Sequence, residues 1–210
     1  LAPRKKLWTT PKEGLLKGIE LLRIGTNDIV YDIGCGDGNF LFHCLDYLHE
    51  EFVRSRNMLE HEITLQIKGI DIEEERIHKI KEKIKELREQ HTYGESGDFL
   101  FDRLTVIQQN ALDLTYSDGT CFYLYLIPRG LKQVIDILVK NIHHPFRVVT
   151  FMYPIPNHSY QATEKVHSEK HEGSQWPLFY YEFPLTTNDL TKEDTSEQSQ
   201  ISEISAERGL

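Results

Sequence analysis

The stretch Val30-Tyr31-Asp32-Ile33-Gly34-Cys35-Gly36-Asp37-Gly38-Asn39-Phe40 decides the fold. It joins a β-rich run at 28–33 to a segment at 40–48 whose apolar residues return at helical spacing, and glycines fill every second position of the link. A turn between strand and helix needs glycine where the backbone must approach another group closely, because no Cβ stands in the way. Gly34, Gly36 and Gly38 therefore mark a loop that cradles something, flanked by Asp32 at the strand end and Asp37 inside the turn.

The sequence around the glycines narrows what is cradled. A dinucleotide fingerprint would require glycine at position 39, where Asn39 stands, and a phosphate-binding P-loop would require Lys followed by Ser or Thr, which Asn39-Phe40 does not supply. Two carboxylates beside the loop repel phosphate but suit a ligand with a positive centre. S-adenosylmethionine, with a sulfonium and an α-ammonium, has that charge. Asp71, in Gly69-Ile70-Asp71 at the end of a second β-rich run, could accept both ribose hydroxyls of an adenosine. Taken alone, Asp71 reads equally well as the N-cap of the helix that follows, and Asp37-Gly38 as a simple turn.

Outward from this centre the chain alternates. Thr10-Pro11-Lys12-Glu13 has the form of a capping box and opens a helix over 10–24, with Gly25 placed to stop it. Strands are expected at 67–72, 104–108, 121–127 and 146–151, with helices at 77–87 and 130–140, and the polar stretch over 46–66 reads as the rest of a helix plus a surface insertion. Two β-leaning runs at 161–167 and 176–183, separated by Glu172-Gly173-Ser174, read as an antiparallel hairpin. The pattern is α/β: a doubly wound, mostly parallel sheet with an antiparallel C-terminal hairpin. Residues 1–186 form one domain in this reading, and 187–210, with six acids against two bases and no aromatic residue, form a disordered acidic tail.

Composition limits the partners. Over 210 residues the net charge is −9, which opposes nucleic-acid binding through a broad basic face; the run Pro3-Arg4-Lys5-Lys6 reads as a solvated tail. No apolar run approaches the ~20 residues of a membrane span, so no membrane segment is expected within this stretch, which begins at Leu1. Cys35, Cys44 and Cys121 are odd in number and lack C-x-x-C spacing, which points to an intracellular, reducing compartment, the cytoplasm ahead of nucleus or mitochondrion. His143-His144 and the pair His167 and His171 lack a third ligand at metal-binding spacing, so no metal is expected.

With these residues in hand, 30–38 resembles motif I of class I S-adenosylmethionine-dependent methyltransferases, Gly69-Ile70-Asp71 resembles the acidic motif after strand two, and 106–114 resembles the next motif. More narrowly, Thr10-Pro11-Lys12-Glu13, 27–31, Leu124-Tyr125-Leu126-Ile127-Pro128-Arg129-Gly130-Leu131 and Arg147-Val148-Val149-Thr150 resemble lysine methyltransferases of the ATP synthase c-subunit and adenine nucleotide translocase, and their bacterial relatives. The resemblance implies a Rossmann-like methyltransferase sheet, S-adenosylmethionine as cofactor and a protein lysine as acceptor. It places Thr10, Asp32, Gly34, Cys35, Gly36, Asp37, Gly38, Asp71, Ile72, Asn110 and Ala111 around the cofactor. Asn110 stands where that family more often has Asp, and the family's mitochondrial members carry a transmembrane segment that this stretch lacks.

Methyl transfer is an in-line displacement in which positioning can supply roughly 7–11 kcal/mol, so no catalytic triad is expected. A lysine must first lose its proton, which an aromatic, desolvating channel favours. Tyr123 and Tyr125, read on the fourth strand, and Tyr153 after the fifth are candidates, with Tyr125 preferred as the residue that positions substrate; packing in the core is the competing role. A small-molecule acceptor, or a catalytically silent scaffold of the same fold, are the other functions the sequence allows.

Overall fold

The computed structural model describes residues 9–167 and 175–183. Seven strands form one sheet in the order β3-β2-β1-β4-β5-β7-β6. They are β1 (Ile29–Ile33), β2 (Gln66–Asp71), β3 (Leu104–Gln108), β4 (Cys121–Leu124), β5 (Phe146–Phe151), β6 (Ala162–His167) and β7 (Gln175–Phe183). The first five pair in parallel; β7 runs antiparallel between β5 and β6. The doubly wound sheet with its antiparallel C-terminal strands is thus as the sequence pattern implies. The hairpin turn, Pro3 to Lys6, His171 and the acidic tail lie outside the described residues.

Register sets what faces what. Asp32 is level with Gly69 on one side and Tyr123 on the other, so these residues share a face of the sheet. That face is covered by α1 (Lys12–Leu22), α2 (Asn39–Leu48) and α3 (Glu74–Glu89), whose apolar stripes pack with Val30, Ile67, Tyr123, Val149 and Phe151. The opposite face, with Ile33, Ile70, Phe122, Leu124 and Val148, is covered by α4 (Pro128–Asn141). Gly69 is small for a reason: a Cβ there would come within 2.5 Å of Leu41, so its absence lets α2 lie against the sheet.

Three local expectations are corrected. The first helix spans Lys12–Leu22 with Pro11 as N-cap, and it has no side-chain capping bond; the Pro11 carbonyl accepts from Gly14 and Leu15 at 2.9 and 3.1 Å. Pro11 holds φ −65° and ψ 155°, extended rather than helical, which moves the start one residue on and leaves the Thr10 hydroxyl free for another partner. At the other end Arg23, not Gly25, takes the left-handed position, at φ 48°. The fourth strand stops at Leu124: Pro128 starts α4 at once, so 125–127 form a short loop and Tyr125 lies beyond the sheet. The polar stretch after α2 continues as a π-helical turn (His49–Arg54) and a 3₁₀ turn (Glu60–Glu62).

Candidate active site

Between β1 and β4 the strand order reverses, and the loops leaving their C-terminal ends separate there. In open α/β sheets this switch point is where ligands bind. The glycine loop after β1 is held from below by β2: the N–H groups of Gly34 and Cys35 both donate to the Ile70 carbonyl, at 2.8 and 2.9 Å. Its upper part is held by Asp71, whose Oδ2 accepts from the Gly36 N–H at 2.9 Å. Gly34, Gly36 and Gly38 all have positive φ, 84°, 55° and 73°, which explains their spacing by conformation as well as by closeness. Gly38 is the N-cap of α2, so the loop delivers the chain directly into that helix.

The two acids that matter differ in their surroundings. Asp71 is nearly enclosed; its Oδ1 accepts from the Glu73 N–H at 2.9 Å, and Arg76 approaches Oδ2, the oxygen that holds Gly36, at 3.5 Å. It therefore performs both the structural role and the loop-holding role, and since an ionised carboxylate offers about four acceptor sites, capacity remains. Asp32 is 5% exposed and, among the described residues, its carboxylate has no hydrogen-bond partner. Burial, with the Asp71 charge as a second cause, pushes its pKa up to about 8. A buried acceptor of this kind is costly unless something brings a donor to it.

The remaining candidates divide. Cys35 is buried beneath the loop, its Sγ close to Gly69, and burial raises its pKa, so it packs rather than reacts. Asp37 is exposed in the turn. Ile72 is 56% exposed immediately after β2, an apolar side chain presented at the C-terminal edge. Asn110 uses its Oδ1 to accept from the Leu112 N–H at 3.1 Å, capping the 3₁₀ turn Ala111–Asp113. Ala111 is buried, its carbonyl accepting from the Tyr116 hydroxyl at 2.7 Å. Thr10 receives a hydrogen bond from the Tyr123 hydroxyl at 3.1 Å, which brings the segment before α1 to the same edge.

Across the switch point, Tyr125 is half-buried with its ring edge-on to Phe151 at 4.9 Å, and burial raises its pKa, with Tyr153 as a second cause. Ile127 and Tyr153 are 41% and 37% exposed on the same side. Of the loop over 152–161, the sequence singles out Tyr153; Pro154 and Pro156 follow it. The loop is fixed by Thr150 donating to the Tyr153 carbonyl at 2.7 Å and by the Ile155 N–H donating to the Tyr181 hydroxyl at 2.8 Å. Met152 and Asn157 in it have φ of 72° and 61°, backbone that is uncommon for methionine. Among the described residues no three His, Cys, Asp or Glu converge as a metal site, and no helix is long and apolar enough to cross a membrane.

A structure of an RNA methyltransferase from Salinibacter ruber in complex with S-adenosyl-L-homocysteine superposes with a TM-score of 0.63 at 19% identity, covering 84% of this chain and 94% of that one. The fold is that of class I S-adenosylmethionine-dependent methyltransferases. An S-adenosylmethionine-dependent O-methyltransferase from Thermotoga maritima shares this methyltransferase fold with a TM-score of 0.53 at 12% identity, covering 84% of this chain and 67% of that one. Among curated proteins, a protein-lysine N-methyltransferase of Saccharolobus islandicus is 23% identical over 147 residues, 70% of this chain and 75% of the relative. No family model matches the chain.

Proposed function

We propose that this chain is an S-adenosylmethionine-dependent methyltransferase whose acceptor is the side-chain amine of a protein lysine. One observation carries the cofactor: Asp32, buried without a partner at the switch point, beside a loop whose positive-φ glycines leave backbone open to a ligand. An anionic or neutral adenosine conjugate would leave that carboxylate unanswered; a ligand bearing an ammonium answers it. The residues fit the group. Asp32 would balance the ammonium, Gly34 and Gly36 would admit the methionyl end, and Asp71 has acceptor capacity for ribose hydroxyls. Ile72 would lie against the adenine, with Asn110 and Ala111 at its edge. Asn110 Oδ1 is already an acceptor in its turn, so its amide nitrogen is the free group it offers. The solved complex with S-adenosyl-L-homocysteine supports the same choice.

When bound, the cofactor supplies an electrophilic methyl on a sulfonium. The chain's part is to hold the acceptor in line and keep it neutral. Lysine has an ordinary pKa of ~10.4, and desolvation favours the amine. Tyr125 and Tyr153, with Ile127, form a largely apolar rim on the side of the switch point away from the glycines, which is where an acceptor side chain would enter. The curated lysine methyltransferase relative supports this acceptor, and the net charge of −9 suits a cationic protein better than RNA.

Calorimetry with S-adenosylmethionine tests the cofactor; no heat of binding at millimolar ligand leaves a silent scaffold. Labelled cofactor with a cell lysate tests the acceptor. Methyl-lysine after hydrolysis is the expected product, while label confined to RNA or to small molecules rejects the lysine.

A further inference from the structure

Met152, the first residue after β5, has φ 72°, and Asn157 further along the same turn has φ 61°. Left-handed backbone at a residue other than glycine persists only where the surroundings impose it, and such positions cluster at functional sites. Here the surroundings are two fully buried hydroxyl side chains. Thr150 donates to the Tyr153 carbonyl at 2.7 Å, and the Tyr181 hydroxyl accepts from the Ile155 N–H at 2.8 Å. Both directions are fixed, since a carbonyl can only accept and a backbone N–H can only donate. The Met152 N–H is itself tied to the Pro177 carbonyl of β7 at 2.8 Å, so the turn starts from a clamped end.

The two hydroxyls come from one patch of the sheet. Tyr181 is level with Val148 in the register of β5 and β7, and Thr150 follows Val148 by two residues, so both side chains lie on the face covered by α4. Ile155 is buried in the same cluster and anchors the middle of the turn, and Pro154 and Pro156 on either side of it restrict the backbone further. The Tyr181 ring packs as Phe183 does, the two stacked at 6.4 Å; the hold on Ile155 is what its hydroxyl adds. Within this restrained segment Tyr153 remains exposed. An aromatic ring left in water on a fixed backbone contributes little to the core. Its place gives it a use: the contact of Tyr125 with Phe151 sets the loop after β4 beside the end of β5, so Tyr153 stands with Tyr125 and Ile127 on the acceptor side of the switch point.

We infer that Tyr181 is a positioning residue for the acceptor: by accepting from the Ile155 N–H it fixes the turn after β5 and, together with Thr150, holds Tyr153 as a stiff wall against which the acceptor side chain is aligned. This rests on the acceptor reading above and extends it to two buried residues that act through the backbone of the turn. In-line displacement tolerates little misalignment, so a wall on a loose loop would serve poorly.

Tyr181→Phe keeps the ring and removes the hydroxyl, leaving the Ile155 N–H to shift the turn in search of another acceptor. With labelled S-adenosylmethionine at saturation and cell lysate diluted below saturation as the acceptor source, initial methyl-lysine formation should fall about five- to tenfold, the scale of one hydrogen bond. S-adenosylmethionine affinity, read by calorimetry, should change less than about twofold. Thr150→Val, which deprives the Tyr153 carbonyl of its donor, should give a similar selective loss, and Thr150→Ser should recover most of it. In a Tyr153→Ala background Tyr181→Phe should add less than about a twofold loss, because the wall it holds is gone. Undiminished methylation in either Tyr181→Phe or Thr150→Val would overturn the inference, as would equal losses of methylation and cofactor affinity, or a Tyr181→Phe loss that persists in full in the Tyr153→Ala background. A wild type that binds the cofactor but forms no methyl-lysine overturns it together with the acceptor reading, whereas variants that match a wild type forming methyl-lysine overturn this inference alone.

Discussion

Two carboxylates at either end of β1, Asp28 and Asp32, are treated in opposite ways. At the N-terminal edge, Asp28 is fully engaged: it accepts from Gly25 N–H at 2.7 Å, from Thr120 at 2.7 Å and from Arg147 at 2.6 Å, and its pKa is lowered because these donors outweigh its burial. Asp118 beside it accepts from Tyr31 at 2.8 Å and Lys68 at 2.5 Å and is likewise held low, Lys68 being the foremost donor against its burial. At the C-terminal edge Asp32 is more deeply enclosed than either and has no partner among the described residues. The chain itself answers Asp28; under the proposed function a ligand answers Asp32. Under that reading, charge pairing separates a carboxylate that stabilises the fold from one that binds.

The largest effect that would break this contrast belongs to Asp32→Asn. Removing the carboxyl that gives up its proton to pair with the ammonium should weaken S-adenosylmethionine on the order of 100-fold, the scale of a charge-assisted hydrogen bond lost in a buried site. The same change should stabilise the free protein at alkaline pH. The folded chain keeps a proton on Asp32 up to about pH 8, whereas the unfolded chain releases it near 3.8. A raised folded pKa gives stability that is present below the unfolded value and lost as pH rises to the folded one. Between those values wild-type stability should fall with a slope approaching about 1.4 kcal/mol per pH unit from this group, and Asp32→Asn should lack that component. Urea titrations of both proteins at pH 5 and pH 8.5 measure it; parallel profiles would contradict the burial of an unpartnered acid.

The converse holds at the opposite edge. Arg147 donates to Asp28 and, at 2.9 Å, to the Arg23 carbonyl, so Arg147→Met strands an enclosed carboxylate. A loss of about 2 kcal/mol in unfolding free energy is expected, with cofactor affinity unchanged within twofold. Weakened binding at constant stability would erase the distinction between the edges. Gly38→Ala comes next, at about 1–2 kcal/mol, because alanine is strained at φ 73° and its Cβ would stand 3.0 Å from Ile80 Cγ1.

The strand and helix alternation was legible because parallel strands buried on both faces read as apolar runs and the helices carry plain stripes; β3 and β5 fall at the residues the pattern implies. What escaped were places where one side chain's local signal competed with tertiary geometry. Thr10 reads as a cap by composition, yet Tyr123, more than a hundred residues away in the chain, takes its hydroxyl. Tyr125 reads as strand by β propensity, yet the proline that starts α4 draws it out into the loop. The positive φ of Met152 leaves no mark in the sequence at all. Asp32, by contrast, was visible as an acid before the glycines, but that it has no partner is a property of the packed molecule only.

Asp37 gives the sharpest small test, because in the sequence it looks like the equal of Asp32. Both acids flank the same glycines, and a ligand with a positive centre could use either. Folding separates them: the β1 pleat turns Asp32 into the enclosed face with Gly69 and Tyr123, while the turn carries Asp37 outward to solvent. A charge in water acts through a high dielectric and is screened within about 10 Å at 0.1 M salt, so its pull on a ligand ammonium is a small fraction of what an enclosed carboxylate exerts. Asp37→Asn should therefore change S-adenosylmethionine affinity less than about twofold at 0.15 M salt, against the loss on the order of 100-fold expected from Asp32→Asn. Comparable losses from the two variants in a calorimetric titration would mean that the charge of the loop as a whole, rather than the single unpartnered carboxylate behind it, selects the ligand.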